Sequence, residues 1–158
     1  MFSVGDKVVY PMHGAGVVES IEEKEVLGSR QNYYVLKFSA GEMKVMIPMD
    51  NAYQIGLRGI IDKNELAKVY EILNEHTEGN SANWNRRYTD NLEKIKSGDI
   101  IEIAQVVKNL MQRSNEKGLS AGEKKMLESA QRMLISEVGL VEGIDITEAS
   151  ELVENCLC

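Results

Sequence analysis

Histidine is scarce in this chain, with only His13 and His76. Neither has a nucleophile motif beside it, so a paired base and nucleophile has no obvious source. There is no H-E-x-x-H and no G-x-S-x-G, and the spacing Gly14-Ala15-Gly16 is too short for a phosphate-cradling loop. Catalysis is therefore not expected, and His13 reads as a loop residue whose ring bonds neighbouring backbone. Cysteine is as rare. Cys156 and Cys158 sit one residue apart at the far end. With no Cys or His cluster elsewhere they do not make a zinc site and read as free thiols. No cofactor or metal is expected. No run reaches the roughly 18 apolar residues that span a bilayer. Residues 1–7 have neither the basic start nor the apolar core of a signal sequence, so a cytoplasmic location without membrane contact is expected.

Positive charge is also in short supply, since the net charge is −7. That argues against a strong, unaided nucleic-acid binder, but the charge is unevenly placed. Glu142, Asp145, Glu148, Glu151 and Glu154 lie in a tail without Lys or Arg. Residues 83–132 carry ten Lys or Arg against seven Asp or Glu. A mildly basic middle supports local phosphate contact. With 43% hydrophobic content and 158 residues, the chain is a folded protein of one ordinary domain or two small ones.

The first part reads as short strands. Residues 7–10 form one, ended by Pro11, and the loop from Met12 to Gly16 uses two glycines for backbone angles other residues avoid. Residues 17–26 form a longer, solvated strand, and residues 27–32 a hairpin turn. Residues 33–38 are strongly β-prone, Ala40-Gly41-Glu42 turns the chain, and residues 43–47 form a strand that Pro48 stops. Four or five short strands of this size predict a small, bent sheet or barrel of SH3 or Tudor type.

Beyond Gly59 the apolar period lengthens to that of helices. Leu66, Val69, Tyr70 and Leu73 mark one helix, and Glu78-Gly79-Asn80-Ser81 a polar break around His76. A second helix opens at about residues 81–84 and runs to Ser97, with Gly98 as its terminating glycine. Asp99 with Glu102, and Ser120 with Glu123, read as capping boxes of two more helices. Thr147 reads as the cap of a short last one. The fold class is thus α+β in two modules, 1–58 and 59–158, the second a bundle of about four to five helices with an acidic tail.

The single tryptophan lies in Asn83-Trp84-Asn85-Arg86-Arg87-Tyr88. Guanidinium groups neutralise phosphates, and a large ring can stack on a base or wedge into a groove. Trp84, Tyr88, Leu92 and Ile95 also recur at helical spacing, which suits a core stripe as well.

Several blocks resemble the CarD family of bacterial RNA polymerase-binding regulators, in its stand-alone, two-domain form. They are Val4-Gly5-Asp6-Lys7-Val8-Val9-Tyr10-Pro11, His13-Gly14 with Gly16, and Tyr33-Tyr34-Val35-Leu36. Further on come Gly56-Leu57-Arg58, Trp84-Asn85-Arg86-Arg87-Tyr88, Glu93-Lys94, Ser97-Gly98-Asp99, and residues 117–124. Together they cover nearly all of residues 2–140 in order.

The resemblance implies that the sheet module binds the polymerase β subunit on its lobe, near the upstream end of the promoter bubble. An exposed strand edge within residues 33–47 could extend a partner's sheet. Lys24, Tyr33, Lys44, Met46, Ile47 and Pro48 are the candidate polymerase contacts. Many members place a basic residue where this chain has Met46, so an apolar contact is expected there, with Lys24 and Lys44 restoring some charge. Trp84 would then be exposed and wedge into the minor groove at the upstream bubble edge, hindering re-annealing and prolonging the open complex without reading base sequence. Asn85, Arg86 and Arg87 would flank it at the phosphates, with either arginine open to pairing with an acid instead. Lys94, Lys124 and Lys125 read either as further phosphate contacts or as a solvated face. Thr89 stands where many members are basic, which weakens phosphate contact. A monomer, associated with the nucleoid through polymerase, is expected. The alternative is a protein-interaction adaptor on polymerase, without DNA contact, in which Trp84 is buried.

Overall fold

The computed structural model describes residues 1–39, 43–75 and 83–157. The expected turn at 40–42, His76, the polar break at 78–81 and Cys158 lie outside the described residues.

Five strands come first: β1 (Lys7–Tyr10), β2 (Gly14–Val26), β3 (Ser29–Phe38), β4 (Lys44–Pro48) and β5 (Arg58–Gly59). They make one antiparallel sheet in the order β4-β3-β2-β1-β5. The architecture is therefore α+β, with a Tudor-like sheet preceding the helices. A register shift between Val18 and Ser20 bends the sheet. Alternation sends Val8, Val18, Tyr34, Leu36, Phe38 and Ile47 into a core closed by Ala52 and Leu57. The turn between β2 and β3 is Leu27-Gly28 alone, and Arg30, Gln31 and Asn32 are strand residues. A two-residue hairpin turn of type I′ needs positive φ at both centres, and Leu27 (φ 53) and Gly28 (φ 81) supply it.

The two glycines expected in a loop both lie in β2, paired with β1, and act differently from one another. Gly14 has φ 99, a conformation side chains disfavour. Gly16 does not; a Cβ there would lie 2.5 Å from the Lys37 carbonyl oxygen, so the close approach of β3 requires it.

Five helices follow: α1 (Lys63–Asn74), α2 (Trp84–Lys96), α3 (Ile100–Glu116), α4 (Ala121–Glu142) and α5 (Ile146–Leu157). Side chains of Asp62, Asn83, Asp99 and Ser120 cap the first four. Ser120 and Glu123 form their expected capping arrangement, but the Asp99–Glu102 box does not form. Asp99 accepts from the Ile101 N–H, while Glu102 takes the Ser97 hydroxyl at 2.8 Å. Asp145, not Thr147, caps α5, because its carboxylate accepts from the Glu148 N–H at 2.8 Å. The helices share one core that includes Leu66, Val69, Ile95, Val107, Leu110 and Leu134. The acidic tail belongs to this core, since α5 buries Ala149 and Val153 against α1 and α4. No helix among the described residues is long and apolar enough to cross a membrane.

The middle of α4 ties the helices to the sheet. The Arg58 guanidinium grips both Glu137 carboxylate oxygens, at 2.8 and 2.7 Å. It also donates to the carbonyls of Gly98 and Gly59. Glu137 Oε2 accepts from the Ile61 N–H as well, at 3.0 Å. One residue earlier, Ser136 Oγ accepts from the Ala15 N–H at 2.9 Å and donates to the Met133 carbonyl. Pro11 packs within van der Waals reach of Gly98. These bonds join β2 and β5 to α4, and Lys7 of β1 donates to the Leu140 carbonyl at 3.3 Å, so the sheet's position relative to α2 and α4 is fixed by directional contacts.

Candidate nucleic-acid interface

Asn83 accepts from the Arg86 N–H at 2.9 Å and starts α2 there. The first turn then presents Trp84, Asn85 and Arg86 outward and turns Arg87 inward. Trp84 is 44% exposed, although the stripe it heads is buried further along at Ile95. The ring does not project freely. It stacks on Tyr88, with centroids 5.1 Å apart and planes at 22°. Its Nε1–H donates to Ser120 Oγ, the cap of α4, at 3.2 Å.

The two arginines part company. The Arg86 side chain is 77% exposed, with only a loose approach to Asp90 at 4.0 Å. Arg87, expected at the phosphates, is buried, and its Nε donates to Glu123 Oε2 at 3.1 Å. The reason is angular: successive residues on a helix point about 100° apart, so one arginine facing solvent sends the next toward α4. Burial alone would raise the Glu123 carboxyl. The hydrogen bond and charge of Arg87, with the bonds from Ser120, outweigh burial and hold it below the usual carboxylate range.

Among the expected lysines, Lys124 and Lys125 are exposed on the first turn of α4, immediately after the cap that meets Trp84. Lys94 is half-buried and donates to Gln105 at 3.1 Å, which turns it toward α3. Trp84, Asn85, Arg86, Lys124 and Lys125 therefore gather where the N-termini of α2 and α4 meet. Both helix ends carry positive partial charge, which adds to the local attraction for anions despite the acidic whole.

The second surface is the sheet edge. β4 is the outermost strand on its side. Cross-strand partners share a face, and the pairs Tyr33–Pro48, Val35–Met46 and Lys37–Lys44 lie on the face away from the sheet core. Tyr33, Met46 and Pro48 are half-buried there and form an apolar stripe. Ile47, an expected polymerase contact, is paired with Tyr34 and only 1% exposed. Its side chain belongs to the core because β4 alternates, and only its backbone reaches the edge. Lys44 is exposed but bonded to Glu19 at 2.9 Å, so its charge is already partly balanced. Lys24 stands on the exposed β2–β3 arm, away from that stripe.

Sequence reasoning did not find Ser120 or Glu123 as partners of the tryptophan turn, nor Ser136 and Glu137 as the tie to the sheet. The capping signature marked the first pair as a helix start. A polar pair inside the apolar run from Met133 to Val138 was the available mark of the second.

The fold is a bent antiparallel sheet with β4 at its edge, tied to a helical bundle that carries a half-exposed Trp84. Family comparison assigns the class. The CarD-like/TRCF RID domain matches residues 2–61, and the CarD C-terminal domain matches residues 68–154. The chain belongs to the CarD family, and is a transcription regulator that acts on RNA polymerase. The second match includes most of α5, so the acidic tail, expected outside the shared blocks, is part of the family's helical domain. A relative in Bacillus subtilis (strain 168), YdeB, provisionally named a transcription factor, is 44% identical over 144 residues, covering 91% of this chain and 94% of its own. A solved structure described as CdnLNt from Myxoccoccus xanthus is 48% identical, covers 39% of this chain and 86% of its own, and has a TM-score of 0.34.

Proposed function

We propose that the protein, acting as a monomer, docks on the RNA polymerase β subunit through the β4 edge and holds the promoter open by wedging Trp84 into the minor groove at the upstream bubble edge. The exposure of the Trp84 ring at the start of α2 carries this reading, since a core role would have buried it. Met46, Tyr33 and Pro48 supply an apolar stripe beside free backbone groups of β4, which suits strand addition. Asn85, Arg86, Lys124 and Lys125 flank the ring for phosphate contact, while Arg87 braces the site from within. Few cations are needed, because tethering to polymerase raises the local concentration of DNA. Contact of this kind reads groove shape and deformability rather than base edges. The adaptor alternative needs Trp84 buried and is not favoured by its 44% exposure.

The test compares wild type with Trp84→Ala for polymerase retention and open-complex lifetime. Retained polymerase binding with a shortened lifetime is the expected result. An unchanged lifetime would count against the wedge.

A further inference from the structure

We propose that Ser120 is the positioning residue for Trp84, fixing the ring's pose before DNA arrives. The inference rests on the wedge reading above and assigns how the wedge is held.

The indole nitrogen can only donate, so in the 3.2 Å contact Ser120 Oγ is the acceptor. The same oxygen accepts from the Glu123 N–H at 3.2 Å. Its own proton goes to Glu123 Oε1, also at 3.2 Å. One donor and two acceptor positions are thereby all used, and the hydroxyl has no freedom to rotate away. Glu123 is anchored in turn by the buried Arg87. Two donors thus converge on the Glu123 carboxylate, the Ser120 hydroxyl on one side and the Arg87 guanidinium on the other, while Ser120 Oγ accepts from the indole N–H. The negative charge of that carboxylate polarises the serine and strengthens it as the acceptor for Trp84.

Tyr88 supplies the second constraint. Trp84 stacks on it, and Gly122 backs it so closely that a Cβ at 122 would sit 3.3 Å from Tyr88 Cε2. The ring is therefore held at one edge by a hydrogen bond and on one face by a stack. With its N–H satisfied by the protein, the indole offers DNA its carbon edge and outer face. It can enter a groove without leaving a polar group unpaired.

The experiment uses the full chain with polymerase and a promoter, comparing Ser120→Ala, Ser120→Thr, Trp84→Phe and the Ser120→Ala/Trp84→Phe pair. Phenylalanine keeps a ring but has no N–H for Ser120 to hold. Ser120→Ala should shorten open-complex lifetime about fivefold, the worth of roughly one neutral hydrogen bond, and Ser120→Thr should restore it. In the Trp84→Phe background Ser120→Ala should cause no further shortening. Loss of the α4 cap alone would act equally in both backgrounds, and that result would overturn the proposal, as would a wild-type lifetime for Ser120→Ala. The chain has one tryptophan, so the indole N–H resonance of free protein reports this site alone. It should shift and exchange faster in Ser120→Ala, and an unmoved resonance would also overturn the proposal. If instead Trp84→Ala leaves the lifetime unchanged, the wedge reading fails, while the resonance still decides whether Ser120 holds the ring.

Discussion

Removing the Glu137 carboxylate should loosen the whole molecule at a single point. Its side chain is 2% exposed and accepts two hydrogen bonds from Arg58, whose side chain is 29% exposed. A third comes from the Ile61 backbone. Deleting one partner of a buried ion pair costs about 3–5 kcal/mol. The lower end applies here, because Arg58 is partly solvated and keeps its bonds to the Gly98 carbonyl. About 3 kcal/mol in a chain of this size lowers Tm by roughly 6–12 °C. Glu137→Gln keeps one acceptor but turns an amide N–H toward the guanidinium, so it should fall between Ala and wild type. Function should suffer beyond stability. Once the tie breaks, the Ala15–Ser136 and Arg58–Gly98 bonds are left to direct α2 and α4 from the sheet, their orientation loosens, and the effective concentration of Trp84 at its target falls. The assay is a thermal melt of both variants together with open-complex lifetime, well below Tm, at saturating protein. A Glu137→Ala protein that melts within about 3 °C of wild type, the size of a roughly 1 kcal/mol effect, would refute the claim that this pair fixes the two modules.

Three further outcomes are expected. Glu123 titrates below the usual carboxylate range because Arg87 and Ser120 outweigh burial, so its contribution to stability is complete above about pH 5 and is lost as pH falls through and below about 4.3. Acid denaturation of Glu123→Gln should be correspondingly shallower; an identical pH dependence would contradict the pairing. Burial, then Glu142 and Cys156, push Tyr70 up to about 12. Its contribution is therefore intact below pH 10 and lost between about pH 10 and 12. Tyr70→Phe should flatten alkaline unfolding followed by circular dichroism, and an unchanged curve would count against this. On β4, Ile47→Ala should cost about 2–5 kcal/mol of stability as a core truncation. Met46→Ala should leave the melt nearly unchanged and weaken polymerase binding, and the reverse pattern would show that the two faces of β4 are misassigned.

Elements with a strong period were legible in the sequence. The buried positions of α1, α3 and α4 follow the apolar spacing, and the strands follow β-branched and aromatic runs ended by glycine or proline. What escaped depended on the third dimension. The capping box at Ser120 and Glu123 could be read, but not that α2 would bring Trp84 to the same hydroxyl. Arg86 and Arg87 were equivalent until the helix phase sent one to solvent and the other to Glu123. Ile47 looked like its neighbour Met46 until strand register placed it opposite Tyr34. A short last helix could be read in the acidic tail, but not its place in the core, because two small apolar contacts, Ala149 and Val153, carry its packing.

The most direct measurement replaces the single tryptophan with 5-fluorotryptophan and follows its fluorine resonance through assembly. The resonance should hold its position with duplex DNA alone, change little on binding polymerase, and shift strongly when polymerase, protein and a pre-melted promoter are combined. A resonance unmoved in that full complex, or one that has already shifted completely with polymerase alone, would contradict the wedge.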